Sequence, residues 1–149
     1  MRRLSGVSFV LLSMLGLSFS GLSGQVGSQG SAGQKASGFQ FEPNYPNPFN
    51  PETTIPFVLN EDLFGSGRPV VVSMRIYNLL RQPLAAPTAL RHPAGEGVPL
   101  LNLEYSSPGR YQAFWDGRDS SGRQVASGVY WVQLTVNGVS KNMKMFVAK

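Results

Sequence analysis

The sequence predicts an all-β fold: an Ig-like antiparallel β-sandwich of about seven short strands, following a signal peptide and a flexible linker. Three observations predict it. Apolar and polar residues alternate at period two in separate runs between Thr53 and Val147. The 17 Gly and 11 Pro of the 149 residues break those runs into short pieces. An Asn-Gly pair, Asn137-Gly138, lies between the last two runs, where a two-residue type I′ hairpin turn belongs.

The elements follow in chain order. Arg2 and Arg3 precede an uncharged apolar run from Val7 to Phe19, and small residues follow at Ser20, Gly21, Ser23 and Gly24. That pattern is a secretory signal peptide, assigned to residues 1–23. The run is short of the ~20 residues of a membrane-spanning helix. Residues 24–41 are rich in Gly, Ser and Gln, and are read as a linker with too little apolar surface to fold. The sandwich is assigned to residues 42–149, the folded module starting near Phe39 or Phe41.

The module opens on Asn44-Tyr45-Pro46-Asn47-Pro48-Phe49-Asn50-Pro51, in which each residue before a proline is pushed towards extended geometry. An extended lead-in anchored by Tyr45 and Phe49 is expected. Thr53 to Leu59 puts Ile55, Phe57 and Leu59 on one face, and Pro56 within it argues for an edge strand. Val70 to Tyr77 turns Val70, Val72, Met74 and Ile76 inward. Gly109 to Trp115 aligns Tyr111, Ala113 and Trp115, while Ser127 to Val136 aligns Tyr130, Val132, Leu134 and Val136. Met143, Met145 and Val147 alternate in the last strand. The Asp- and Gly-rich stretch from Asp116 to Arg123 links the Trp115 strand to the Tyr130 strand. Short strands fit around Leu84 and around Leu101 to Leu103, but residues 81–108 are long for a sandwich loop.

These motifs resemble a known family. Asn44 to Pro51, Ile76-Tyr77-Asn78-Leu79-Leu80, Trp115-Asp116-Gly117-Arg118-Asp119, Gly122, Ala126-Ser127-Gly128-Val129-Tyr130 and Lys144-Met145 occur in the order found in C-terminal sorting domains of type IX (Por) secretion cargo. The related FlgD/Vpr-type Ig-like domains share them. The resemblance implies a non-enzymatic sandwich of about seven strands, recognised by the outer-membrane translocon and commonly removed at the cell surface. It makes these motif residues structural or recognition positions, with Trp115 to Tyr130 forming a central hairpin. In the flagellar hook-capping relatives the similar domain is an assembly module. This sequence departs from the pattern at Arg81, where a glycine usually follows the Tyr77 to Leu80 motif, and in a longer stretch up to Pro108. Only the signal peptide and linker precede the module, so a stand-alone structural or adhesive module of the cell envelope is the alternative expectation.

Composition narrows the chemistry. Cysteine is absent, which removes disulfides, thiolate nucleophiles and cysteine zinc sites. Two of the 13 basic residues leave with the signal peptide, so 11 face 8 acidic ones, a net +3 spread without a basic stripe. His92 is read as an exposed loop residue with no catalytic partner pattern. Asp116 and Asp119 are read as turn formers rather than an acid–base pair or a calcium site, since Arg118 stands where an oxygen ligand is needed. No catalytic residue, metal or cofactor is assigned. Tyr111, Trp115 and Tyr130 are in phase with the core and are read as packing. Trp131 is out of phase and is read first as edge cover, the alternative being an exposed patch with Val71 or Phe146 that marks a protein contact. The expected protein is exported, to the periplasm, outer-membrane surface or medium. Its partner is a protein of the outer-membrane secretion machinery or the envelope, with no nucleic acid, no small-molecule substrate and no membrane span once the signal is removed.

Overall fold

A computed structural model describes residues 38–149. The expected signal peptide and most of the expected linker therefore lie outside the described residues. Nine strands occur among the described ones: β1 (Phe39–Phe41), β2 (Thr53–Leu59), β3 (Val70–Tyr77), β4 (Pro83–Ala85), β5 (Thr88–Ala89), β6 (Leu103–Tyr105), β7 (Gly109–Trp115), β8 (Gly128–Val136) and β9 (Val139–Val147). They form two antiparallel sheets, one in the order β1-β2-β7-β5 and the other in the order β4-β3-β8-β9, with β6 also pairing with β3. The chain is a β-sandwich, with more and shorter strands than the seven expected. Among the described residues a 3₁₀ turn spans Glu61–Phe64, and no helix there is long and apolar enough to cross a membrane.

The period-two pattern places the core. Ile55, Phe57 and Leu59 of β2, all four inward residues of β3, Ala113 and Trp115 of β7, Val132 and Leu134 of β8, and Met145 of β9 are each at most 2% exposed. Each such side chain contributes roughly 1.5–3 kcal/mol by leaving water. The β8–β9 hairpin turns at Asn137-Gly138, where both residues take positive φ (48° and 83°) and Val136 pairs with Val139. That is the backbone a type I′ turn requires.

Several expectations change. Residues 39–41 are not linker: β1 pairs with β2, and Phe39 is buried. Pro56 is not on an edge strand, because β2 lies between β1 and β7. In an antiparallel strand a residue's N–H and C=O point the same way. The Pro56 carbonyl accepts from Glu42 N (3.0 Å), so the missing donor falls just past the end of three-residue β1, where little pairing is lost. The Trp115 and Tyr130 strands do not form a hairpin, since β7 and β8 lie in opposite sheets and the Asp116 to Arg123 loop crosses between them.

Residues 81–108 close one flank of the sandwich. β4 and β6 share the edge of β3 that β8 leaves free, β5 pairs with β7 in the opposite sheet, and the fully buried Leu100 lies between them. Leu100 O accepts from Met74 N (2.8 Å), and Leu100 N donates to Pro87 O (2.8 Å). The stretch is long because it visits both sheets.

Candidate recognition site

Most of the quoted motif residues meet at one end of the sandwich. The proline-rich segment is not an extended lead-in: it bends repeatedly because its backbone is tied to both sheets. Tyr45 exchanges two hydrogen bonds with Thr54 in β2 (2.9 Å each). Four residues on, Phe49 N donates to Phe146 O and Phe49 O accepts from Ala148 N, both at 3.0 Å, on the far side of β9. Asn47 Oδ1 accepts from Phe146 N (3.3 Å). Phe49 is 1% exposed and meets Trp115 edge-on at 5.4 Å; Trp115 in turn meets Tyr130 at 5.9 Å. This aromatic chain is the anchor of the segment. Tyr45 is not an anchor, being half-exposed with its hydroxyl accepting from Gln112 Nε2 (2.7 Å).

Polar groups lock the same end. Buried Asn44 donates through Nδ2 to Thr53 Oγ1 (2.9 Å) and to Pro46 O (3.2 Å), and the Thr53 hydroxyl donates to Pro46 O (3.1 Å). Trp115 Nε1 donates to Arg118 O (2.9 Å), and the Tyr130 hydroxyl donates to Ala126 O (2.7 Å). Gly117 has φ +72°, and a Cβ there would fall 2.1 Å from Pro51 O, so only glycine lets the two motif loops touch. Asp116 Oδ1 accepts from Arg118 N (3.0 Å). Asp119 Oδ1 accepts from the Ser121 hydroxyl (2.6 Å), Ser121 N (2.9 Å) and Arg123 N (3.0 Å). These bonds, led by that of the Ser121 hydroxyl, hold the Asp119 carboxyl below its ordinary value. Gly122 N closes the turn on Asp119 O (2.9 Å), Gly128 opens β8 opposite Val147, and Met145 is fully buried in β9. Pro46, Asn47, Pro48, Asn50 and Pro51 remain exposed around this anchored centre.

Tyr77 and Lys144 belong to a different place, the outer face of the β3–β8–β9 sheet. The Tyr77 hydroxyl donates to Gln133 Oε1 (3.2 Å). Trp131 pairs with Tyr77 on β3 and with Lys144 on β9. Two cations stand over its half-buried ring, Arg81 with Cζ at 5.2 Å and Lys144 with Nζ at 5.1 Å from the centroid. Val71 is not part of this patch, because it lies at the opposite end of β3 against Glu104 and Asn137. Phe146, 45% exposed, is on the same face beside Val129. The β3–β4 hairpin forms the rim: Asn78 Oδ1 accepts from Leu80 N (2.9 Å) and Gln82 N (3.0 Å), and its Nδ2 donates to Gln82 Oε1 (2.8 Å). Arg81 N donates to Asn78 O (3.0 Å). This frame presents Leu79 and Leu80, 64% and 78% exposed. Arg81 has φ +63°, so the backbone keeps the left-handed residue that a glycine would supply, with arginine in its place.

His92 is not a freely exposed loop residue. Its Nδ1 accepts from Ala94 N (3.1 Å), its Nε2 lies 2.9 Å from Glu104 O, and its half-buried ring meets Tyr105 at 4.8 Å. Burial, then the neighbouring Tyr111, pushes the Tyr105 phenol up to about 12. Among the described residues no group of three or more His, Asp or Glu could hold a metal ion. What sequence reasoning missed is the joining of Arg81, Trp131 and Lys144. The out-of-phase Trp131 signalled the face, but the two cations reach it only through strand register.

No family model matches the sequence, and no curated protein matches it significantly. Among solved structures, dimeric latent PorU from Porphyromonas gingivalis is similar, with 19% identity and a TM-score of 0.47 over 74% of this chain. The chain spans 9% of the length of that protein chain.

Proposed function

We propose that this protein is an exported, non-enzymatic protein-recognition module, and that its role is that of a C-terminal sorting domain read by a type IX secretion system. The observation that carries the reading is the meeting of separate motifs at one end of the sandwich. Phe49, Trp115 and Tyr130 form its buried centre, Gly117 lets the loops close, and Asn47, Pro48, Asn50 and Pro51 are held in solvent by the backbone bonds of Phe49. Rigid exposed loops on a packed scaffold are a recognition device, since little ordering entropy remains to be lost on binding. The outer-membrane translocon is the partner that the motif order suggests.

The test inserts a reporter between residues 34 and 35 of the full chain, in a host that carries the secretion system and in an isogenic host that lacks its translocon. Reporter at the cell surface or in the medium of the first host alone supports sorting. Reporter held in the periplasm of both sinks it, and a mature protein that keeps Lys149 in the envelope then favours the stand-alone structural or adhesive module.

A further inference from the structure

We infer that the outer face around Trp131, together with the β3–β4 hairpin, docks a protein segment that carries carboxylates around an apolar centre. The inference rests on the reading of the module as a protein-recognition domain and names where, and by what chemistry, it takes a partner.

Four observations carry it. First, the ground around Trp131 carries charge of one sign. Arg75, Arg81 and Lys144 stand there, the outward positions of β3, β8 and β9 hold no Asp or Glu, and the acidic Glu104 of β6 lies at the far end of β3 opposite Val71. Among the described residues the ion pairs lie elsewhere, between Arg110 and Glu42 and between Arg123 and Asp119. Unpaired cations of one sign steer and select an acidic partner. Second, Leu79 and Leu80 are exposed on a hairpin that Asn78 already holds rigid, so apolar anchors are presented at low ordering cost. Third, arginine occupies a left-handed backbone position that glycine adopts without strain. Strain retained at an exposed turn points to a use for the side chain, and that side chain lies over Trp131. Fourth, Arg81 reaches the ring from the β3 side and Lys144 from β9. The ring is thus committed to holding one guanidinium and one ammonium in place rather than to stacking on a sugar.

The test uses the full chain labelled with ¹⁵N. With only two tryptophans, its indole signals are two, assigned through Trp131→Phe. The probe is an acetylated, amidated peptide of alternating Asp or Glu and Leu, and the control has Lys at every acidic position. We expect saturable shifts of the Trp131 indole and of the Leu79 and Leu80 amides with the acidic peptide, while the Trp115 indole stays still. Arg81→Glu combined with Lys144→Glu should weaken binding at least tenfold, and raising salt to about 0.5 M should weaken it similarly. Arg81→Gly, which suits the turn, should keep the spectrum of the fold and still lose affinity. A silent Trp131 indole at millimolar peptide overturns the inference, as do equal shifts with the lysine peptide or shifts that survive charge reversal. Saturation by dextran sulfate without any response to the peptide also overturns it, and assigns the face to an anionic glycan. Acidic-peptide binding with a reporter that is never exported refutes sorting and leaves this surface standing; export without binding does the reverse.

Discussion

The motif-built end and the Trp131 face both contain a tryptophan with close ring partners, and they use it in opposite ways. Trp115 is 2% exposed between Phe49 and Tyr130, and its indole N–H is satisfied by a backbone carbonyl. Trp131, one residue out of the core phase, lies on the opposite surface under two cations. The first holds two sheets together, and the second arranges charge in water. Alternation along β8 separates these roles within adjacent residues, Tyr130 facing in and Trp131 facing out.

Substitutions can break or sharpen that contrast. Trp115→Ala should cost about 3–5 kcal/mol, measured by denaturant unfolding, because it opens a cavity against Phe49 and Tyr130. Trp131→Ala should cost about 1 kcal/mol or less, the scale of exposed cation–π contacts. Equal losses at the two positions would erase the distinction. Gly117→Ala should cost about 3 kcal/mol, since the added methyl meets Pro51 O and the backbone is left-handed there. A neutral result would mean that the two motif loops can separate without loss.

Smaller effects are expected on the hairpin. Arg81→Gly should be more stable than Arg81→Ala by about 1 kcal/mol, because both remove the guanidinium but only glycine relieves the left-handed backbone. Indistinguishable variants would show that the turn relaxes. The smallest effect is acid sensitivity. Asp119 has a depressed folded pKa, so its contribution is present above the ordinary carboxylate range and disappears as pH falls through the folded value. On acid titration the Trp115 indole signal should move with that loss, while the Trp131 indole, whose strand partners Tyr77 and Lys144 carry no carboxylate, should not respond.

Much of the fold was legible because it is written in local alternation. The inward residues of β2, β3 and β8 follow from period two, and the β8–β9 hairpin follows from Asn137-Gly138. What failed was non-local. Pro56 was read as an edge signal, yet its missing donor falls where β1 has run out. Residues 81–108 lacked a period because β4, β5 and β6 are only two or three residues long and serve both sheets. The Trp115 to Tyr130 stretch read as a hairpin because its turn chemistry says where the chain bends, and not which sheet receives it.

The candidate site divides in the same way. By itself the sequence determined that Trp131 leaves the core and that Trp115 and Tyr130 enter it, since side-chain direction in a strand depends only on phase. The tertiary structure alone decided that Phe49 packs on Trp115, that Gly117 must clear Pro51, and that Arg81 and Lys144 share one indole. Residues so distant along the chain are brought together by strand register and sheet order. Those are fixed by the packing of two faces against one another, which no local pattern encodes.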